Sequence, residues 1–404
     1  MVSQQIIADV IQAQAYAWLK KNWGVSREMT SEIPHATGFA SIITGLRRSG
    51  KSTMMMQVLQ QNFQEKALFL NFEDPRLATF STEDFERLYN EIINRKNKLL
   101  FFDEIQIISG WEIFVNQLLR EDFKVFITGS NASLLSRELG THLTGRHFST
   151  ELFPFSYSEF LTYFKREGSE KTFADYLQKG GMPDYLRTNV GTYLNTLLDD
   201  IIIRDIAIRH GLRDVNSLRQ LTVYLLSNIG NLISANGLVG MFGVKSATTL
   251  LHYFSFLSDA YIVEFVPLFD YSLKKQIRNP QKVYAIDLGM YHQNKIVFSP
   301  NYGAVLENAV YLHLRKKYKD IFYFQNQGEC DFVTTINGHP EDLYQVCYDL
   351  NSMNLYRETE GLYQAMDFFK KEKAFIITMN QKDIFKKNNK TIDVIPAWQW
   401  ILQK

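Results

Sequence analysis

Residues 45–52 read Gly-Leu-Arg-Arg-Ser-Gly-Lys-Ser and satisfy the pattern G-x-x-x-x-G-K-[ST]. The pattern carries a mechanism. Its glycines let backbone N–H groups close on a phosphate chain, its lysine reaches the β/γ-phosphates, and its last hydroxyl ligates Mg²⁺. The flanks suit it. Phe39–Thr44 is a short β-branched run that predicts a strand. Ser52–Phe63 lacks Gly and Pro, is rich in Met, Gln and Leu, and predicts a helix. Phosphates would then lie at that helix's N-terminus, where free N–H groups and the dipole favour anions. The expected cofactors are ATP and Mg²⁺, held by Gly45, Ser49, Gly50, Lys51, Ser52 and Thr53. Arg47 and Arg48 lie inside the loop, where a phosphate and a neighbouring subunit are both open to them.

A chain of 404 residues with 46% apolar side chains has room for two or three cores. Its 44 basic and 43 acidic residues leave a net charge of +1. General basicity therefore gives no argument for nucleic acid, and any basic patch must be local. Two cysteines, Cys330 and Cys347, imply no disulfide framework and fit a reducing compartment. Met1–Tyr16 has neither the basic start nor the apolar stretch of a signal peptide, and no apolar run approaches 18 residues. The expectation is a cytoplasmic protein without a membrane partner.

Along the chain, residues 1–38 predict one or two helices, with Ile6, Val10, Ala13 and Ala17 on one face. From 39 to about 160 strands alternate with helices, at Ser41–Thr44, Ala67–Phe72, Leu99–Phe102, Val125–Thr128 and His147–Phe153. That alternation predicts an α/β fold, a mostly parallel sheet covered on both faces. Residues 156–265 look helical. Tyr261–Phe269 and Lys282–Ile286 are strand-like and flank the basic, polar stretch Ser272–Gln281. Residues 303–404 return to mixed α/β, with the Lys/Asn-rich stretch Lys382–Lys390 expected as a solvated loop.

A nucleoside triphosphatase needs a second acidic element, and Leu99-Leu100-Phe101-Phe102-Asp103-Glu104 supplies one. Asp103 at the strand's end can hold Mg²⁺, and Glu104 can take the proton of the attacking water. The intervening strand 67–72 suggests the class in which a strand is inserted between the two motif-bearing strands. After Val125–Thr128, Ser130 and Asn131 can either sense the γ-phosphate or cap a helix over Ala132–Leu139. Arg146, in Thr-Gly-Arg, is a candidate for neutralising charge on the γ-phosphate, from its own subunit or a neighbour's.

These motifs, with Leu-Asn-Phe-Glu-Asp-Pro-Arg (70–76), Thr-Gly-Ser-Asn-Ala (128–132), Leu-Thr-Gly-Arg (143–146) and Leu-Phe-Pro-Phe-Ser-Tyr-Ser-Glu-Phe (152–160), resemble a prokaryotic family. It is the AAA-type ATPases that carry a C-terminal domain of unknown function. Gly-Gly-Met-Pro (180–183), Ala-Val-Leu-Glu-Asn-Ala-Val (304–310) and Glu-Cys-Asp-Phe-Val (329–333) extend the resemblance over nearly the whole chain. It implies a P-loop AAA+ type core, a winged-helix segment and a restriction-endonuclease-like C-terminal domain. The expected division is N-terminal helices at 1–38, the ATPase domain at 39–160, a helical lid at 161–215, a winged-helix-like domain at 216–300 and the nuclease-like domain at 301–404.

Residues 234–257 predict two helices joined at Gly243 before a strand, the order of a winged helix. Lys245, Ser246, Thr248, Thr249 and His252 could face a DNA groove, and Lys274, Lys275 and Arg278 its phosphates; a helical lid or a protein-docking module would share the pattern. In the last domain the element order resembles the PD-(D/E)xK nuclease core. Glu307 and Asp331 match its acids and Gln345 a tolerated ligand, but Cys347 stands where its lysine belongs. Cleavage is therefore not expected. The favoured reading is a Mg²⁺-dependent ATPase that moves a winged-helix and degenerate nuclease-like module, with DNA and a second copy of the chain as candidate partners. Its rivals are an ATP-gated DNA nuclease and a slow nucleotide-sensing switch with a protein partner.

Overall fold

The structure, a computed structural model, describes residues 1–19, 22–63, 67–130, 145–296, 301–326 and 328–403. It divides into two compact units. Unit one comprises Met1–Phe153 and Asp259–Tyr261; unit two comprises Pro154–Ser258 and Ile262–Lys404.

In unit one, β1 (Ala40–Thr44), β2 (Ala67–Asn71), β3 (Leu99–Asp103), β4 (Lys124–Gly129) and β5 (His147–Glu151) form a parallel sheet in the order β2-β3-β4-β1-β5. β1 and β3 are buried along their whole length, as near-continuous apolar runs in a covered parallel sheet should be. β4 is the strand inserted between the phosphate-loop strand and the acidic strand. β2, which precedes the acidic strand in sequence, lies at the sheet's edge. This arrangement sets the end of β1 and the end of β3 one strand apart. The helix Gln4–Leu19 buries Ile7, Val10, Ile11 and Gln14, whereas Ile6, Ala13 and Ala17 are exposed. The buried face is thus rotated from the expected one, since it gathers the bulkier Ile7 and Ile11 instead of the two alanines.

Unit two begins with helices, from Tyr157–Phe164 to the π-helix Ile201–Ile208. The helix Val215–Ser227 precedes β6 (Leu232–Ile233), the short helix Ala235–Leu238, the helix Ala247–Asp259, β7 (Val263–Val266) and β8 (Gln281–Ala285). These strands pair antiparallel in the order β6-β8-β7. The basic, polar stretch between β7 and β8 contains the helix Leu273–Arg278. The helix Tyr302–Lys317 leads to β9 (Asp320–Gln325), β10 (Glu329–Ile336), β11 (His339–Val346), the helix Leu355–Phe369, β12 (Lys373–Thr378), β13 (Asp383–Lys387) and β14 (Lys390–Pro396). Their sheet is mixed, in the order β13-β14-β12-β11-β10-β9. The expected loop at 382–390 is therefore the edge strand β13 and its turn. Its lysines are the charges that shield such an edge from further pairing. Among the described residues no helix is long and apolar enough to cross a membrane.

Candidate nucleotide site

The phosphate loop is shaped by two glycines. A Cβ on Gly45 would lie 2.1 Å from the carbonyl oxygen of Leu152, and Gly45 has φ +145°. Gly50 has φ +98° and caps the helix Lys51–Asn62, whose first N–H groups have no partner inside the helix. Ser49 is fully buried, and its hydroxyl has no hydrogen-bond partner among the described residues. An orphaned buried hydroxyl next to free helix N–H groups fits an anion. Lys51 is buried and donates to the carbonyls of Gly45 and Leu46, each at 3.0 Å. Its ammonium is therefore held against the loop, ahead of the anion site.

Across the sheet, Asp103 is the hub. Its Oδ1 accepts from the hydroxyl of Ser52 at 3.0 Å and from that of Thr128, and its Oδ2 accepts from Asn71 Nδ2 at 3.0 Å. Burial raises its pKa, against the pull of those hydroxyls and of the Lys51 charge. Ser52 and Asp103, the predicted Mg²⁺ ligands, thus have adjacent oxygens. That donor set suits a small hard cation completed by phosphate and water. Glu104 follows in the left-handed region, with φ +56°, and accepts a hydrogen bond from Gln106. Burial pushes its carboxyl up to about 7; the Lys51 charge opposes this and Asp103 and Glu73 add to it. A base poised there can accept a proton near neutral pH.

The other expected residues divide. Arg47 pairs with Glu73 at 3.3 Å, and Arg48 is exposed with φ +67°. Thr53 is half-buried in the first turn of the helix. Ser130 is buried just past the end of β4. Arg146 is exposed, and its carbonyl accepts from Ala40 N at 3.0 Å. Asn131 and the helix expected at Ala132–Leu139 lie outside the described residues.

Three contributors escaped the sequence reading. Arg27 is buried and donates from Nη1 to Ser49 O at 2.8 Å and from Nη2 to Phe153 O at 2.6 Å, tying the loop to the chain after β5. Asn71 ends β2 and holds Asp103. Tyr261, at φ +56°, donates to Glu151 at 3.1 Å while its oxygen lies 2.9 Å from Thr44 Oγ1, at the end of β1. None sits in a recognisable pattern. The one available signal is the place of Asn71 in the segment Leu-Asn-Phe-Glu-Asp-Pro-Arg, residues 70–76.

A family model described as an AAA domain matches residues 38–161, and one described as a domain of unknown function, DUF8612, matches 170–299. An uncharacterised protein of Methanocaldococcus jannaschii is 31% identical over all of this chain and 96% of its own length. The chain belongs to the family of that protein, and residues 38–161 of it match an AAA domain. An uncharacterised Haemophilus influenzae protein in the family is likewise 31% identical, over 91% of this chain and 95% of its own. Among solved structures, the replication initiator DnaA bound to AMPPCP and single-stranded DNA is similar at 13% identity. That match covers 59% of this chain and 86% of that one, with a TM-score of 0.26. The AAA-domain match over residues 38–161 supports nucleotide binding by unit one.

Proposed function

We propose that this chain is a Mg²⁺-dependent ATPase whose turnover drives a DNA-directed module in unit two. The observation that carries the reading is Asp103: one buried carboxylate joins the phosphate-loop Ser52, Thr128 of the inserted strand and Asn71, with Glu104 next in sequence. Ser52 and Asp103 would hold Mg²⁺, which neutralises phosphate charge and orients the chain of phosphates. Lys51 would exchange its loop carbonyls for phosphate oxygens, and Ser49 would give its unpartnered hydroxyl to the same anion. Glu104 would orient the attacking water and take its proton as the new P–O bond forms.

The DNA reading is supported by exposed groups. Lys245, Ser246, Thr248 and His252 lie on or before the helix Ala247–Asp259 and are exposed, as are Lys274, Lys275 and Arg278 before β8. A winged helix would present them in this order. Steady-state ATP turnover with and without duplex DNA, on a sample sized by light scattering, tests the coupling. Acceleration by DNA is expected; a rate indifferent to saturating DNA would discard DNA as the driver's partner.

The raised pKa of Glu104 gives a pH signature. The base form is lost as pH falls through about 7, so turnover should drop roughly tenfold between pH 8 and pH 6. A flat profile over that range removes Glu104 as the base. The exposed Arg146 fits a role toward a neighbouring copy. Turnover per subunit should then rise with protein concentration, and mixing Arg146→Ala with Lys51→Ala should restore activity. Concentration-independent turnover in a proven monomer rules this out.

A further inference from the structure

Unit two carries an exposed aromatic pair with cations on both sides of it. Tyr271 is 80% exposed and Phe368 is 43% exposed, and their ring centroids are 6.1 Å apart. Leu273 and Ile277, one turn apart on the helix that follows Tyr271, are 72% and 75% exposed. Large apolar side chains left in water at one place mark a contact surface. The two rings are held firmly. Phe269 stands edge-on to Tyr271 at 5.3 Å, to Phe368 at 6.4 Å and to the buried Phe369 at 4.8 Å, and Phe368 also meets the buried Phe324 at 4.9 Å. Phe324 and Phe369 belong to the core of the mixed sheet. A packed aromatic base therefore fixes the exposed rings, and little side-chain entropy is left to lose on binding.

Charge says what covers this surface. Lys274 and Arg278 are exposed, one turn apart, on the helix Leu273–Arg278. Lys370 and Lys371 follow the helix Leu355–Phe369 directly after the ring pair's other member. The acids beside them are answered, Asp270 by Lys275 at 3.3 Å and Asp367 by Lys390. Lys274, Arg278, Lys370 and Lys371 then outnumber Glu372. Glu307 and Asp331, the acids singled out in the sequence, are engaged with the buried Lys282, at 3.2 Å and 2.7 Å. Ring faces flanked by cations match unstacked bases on an anionic backbone. A duplex hides its base faces and would leave the rings unused. An anionic bilayer would want a longer apolar helix face than these six residues supply.

We propose that Tyr271 and Phe368 stack the bases of a single-stranded nucleic acid whose phosphates are held by Lys274, Arg278 and Lys370, an assignment that rests on the nucleic-acid reading of unit two and names the strand form it takes.

The test is fluorescence anisotropy on the full chain, with labelled oligo(dT), oligo(rU), an abasic strand of equal length and charge, and a duplex. Wild type should bind oligo(dT) or oligo(rU) roughly tenfold or more tightly than the abasic strand. Tyr271→Ala and Phe368→Ala should each weaken binding of the base-bearing strand by roughly 5- to 100-fold and leave the abasic strand unmoved. Tyr271→Trp should recover what Tyr271→Ala loses. The double change Lys274→Ala with Arg278→Ala should weaken both strands and flatten the salt dependence. Tyr356→Ala, at an exposed tyrosine of the other end of the helix Leu355–Phe369, should bind as wild type does. Circular dichroism checks folding; Tyr271, mostly in solvent, carries the test if Phe368→Ala does not fold. Equal binding of base-bearing and abasic strands by wild type, or unchanged binding by Tyr271→Ala, overturns the stacking role. If only the duplex binds, that role falls and the DNA reading of unit two stands; if no nucleic acid binds, both fall. Binding to anionic phospholipid vesicles instead of oligonucleotides, lost in Tyr271→Ala, gives the rings to a membrane and overturns it as well.

Discussion

Lys51→Ala should bind ATP at least 10²-fold more weakly than wild type, and Glu104→Gln should bind it normally while losing turnover by about 10³-fold. The asymmetry follows from where the two side chains stand. Lys51 is buried on the loop itself and is the described lysine on the face of Gly45 and Leu46. Removing it leaves the loop amides and Ser49 to carry the phosphates without a cation. Glu104 follows the acidic strand and accepts a hydrogen bond from Gln106. An amide there preserves shape and the contact with Gln106 but cannot take a proton. Fluorescent-nucleotide titration and steady-state phosphate release separate the two effects. Wild-type turnover by Glu104→Gln would move the base elsewhere, and tight ATP binding by Lys51→Ala would remove the lysine from the phosphates.

The contrast between legible and illegible parts of this site is one of sequence distance. Gly45 to Ser52 form one uninterrupted motif, and Asp103 and Glu104 end one apolar run, so each could be read locally. Arg27 comes from outside the sheet, beside a short 3₁₀ turn, and reaches Ser49 and Phe153 across 22 and 126 residues. No local periodicity marks such a residue. Lys282 was also hidden by distance, 25 residues before Glu307 and 49 before Asp331. Here a signal existed. A lysine sharing one strand face with Tyr284, inside an otherwise apolar run, must find a partner for its charge. Strands were placed well because buried parallel strands read as apolar runs. The edge strand β13 was missed because both its faces are largely exposed, which leaves no burial pattern to read.

Gly181→Ala should cost unit two roughly 3 kcal/mol or more, a loss of about 6–12 °C in its melting temperature. The residue lies in the Gly-Gly-Met-Pro segment, which the sequence singles out without giving it a task. The structure gives it one. Gly181 accepts from Phe155 N at 2.8 Å and donates to Asp287 Oδ2 at 2.7 Å, and Asp287 also caps the helix Leu288–Asn294 through Met290 N at 2.9 Å. Three segments distant in sequence thus meet at one glycine. A Cβ there would stand 2.3 Å from Phe155 O and 2.7 Å from Phe155 N, both backbone atoms that no rotamer change can move. The chain must separate, and the bonds to Phe155 and to the buried Asp287 carboxylate go with the contact. An unpaired buried acceptor adds its own desolvation cost. The control is Gly303→Ala, in the first turn of the helix Tyr302–Lys317, where a Cβ meets nothing nearer than Asn301 Oδ1 at 3.7 Å. That substitution should be neutral or stabilise by up to about 1 kcal/mol through helix propensity alone. Differential scanning calorimetry on the full chain resolves the two. If Gly181→Ala melts within a degree or two of wild type, the three-segment junction is not what holds unit two together.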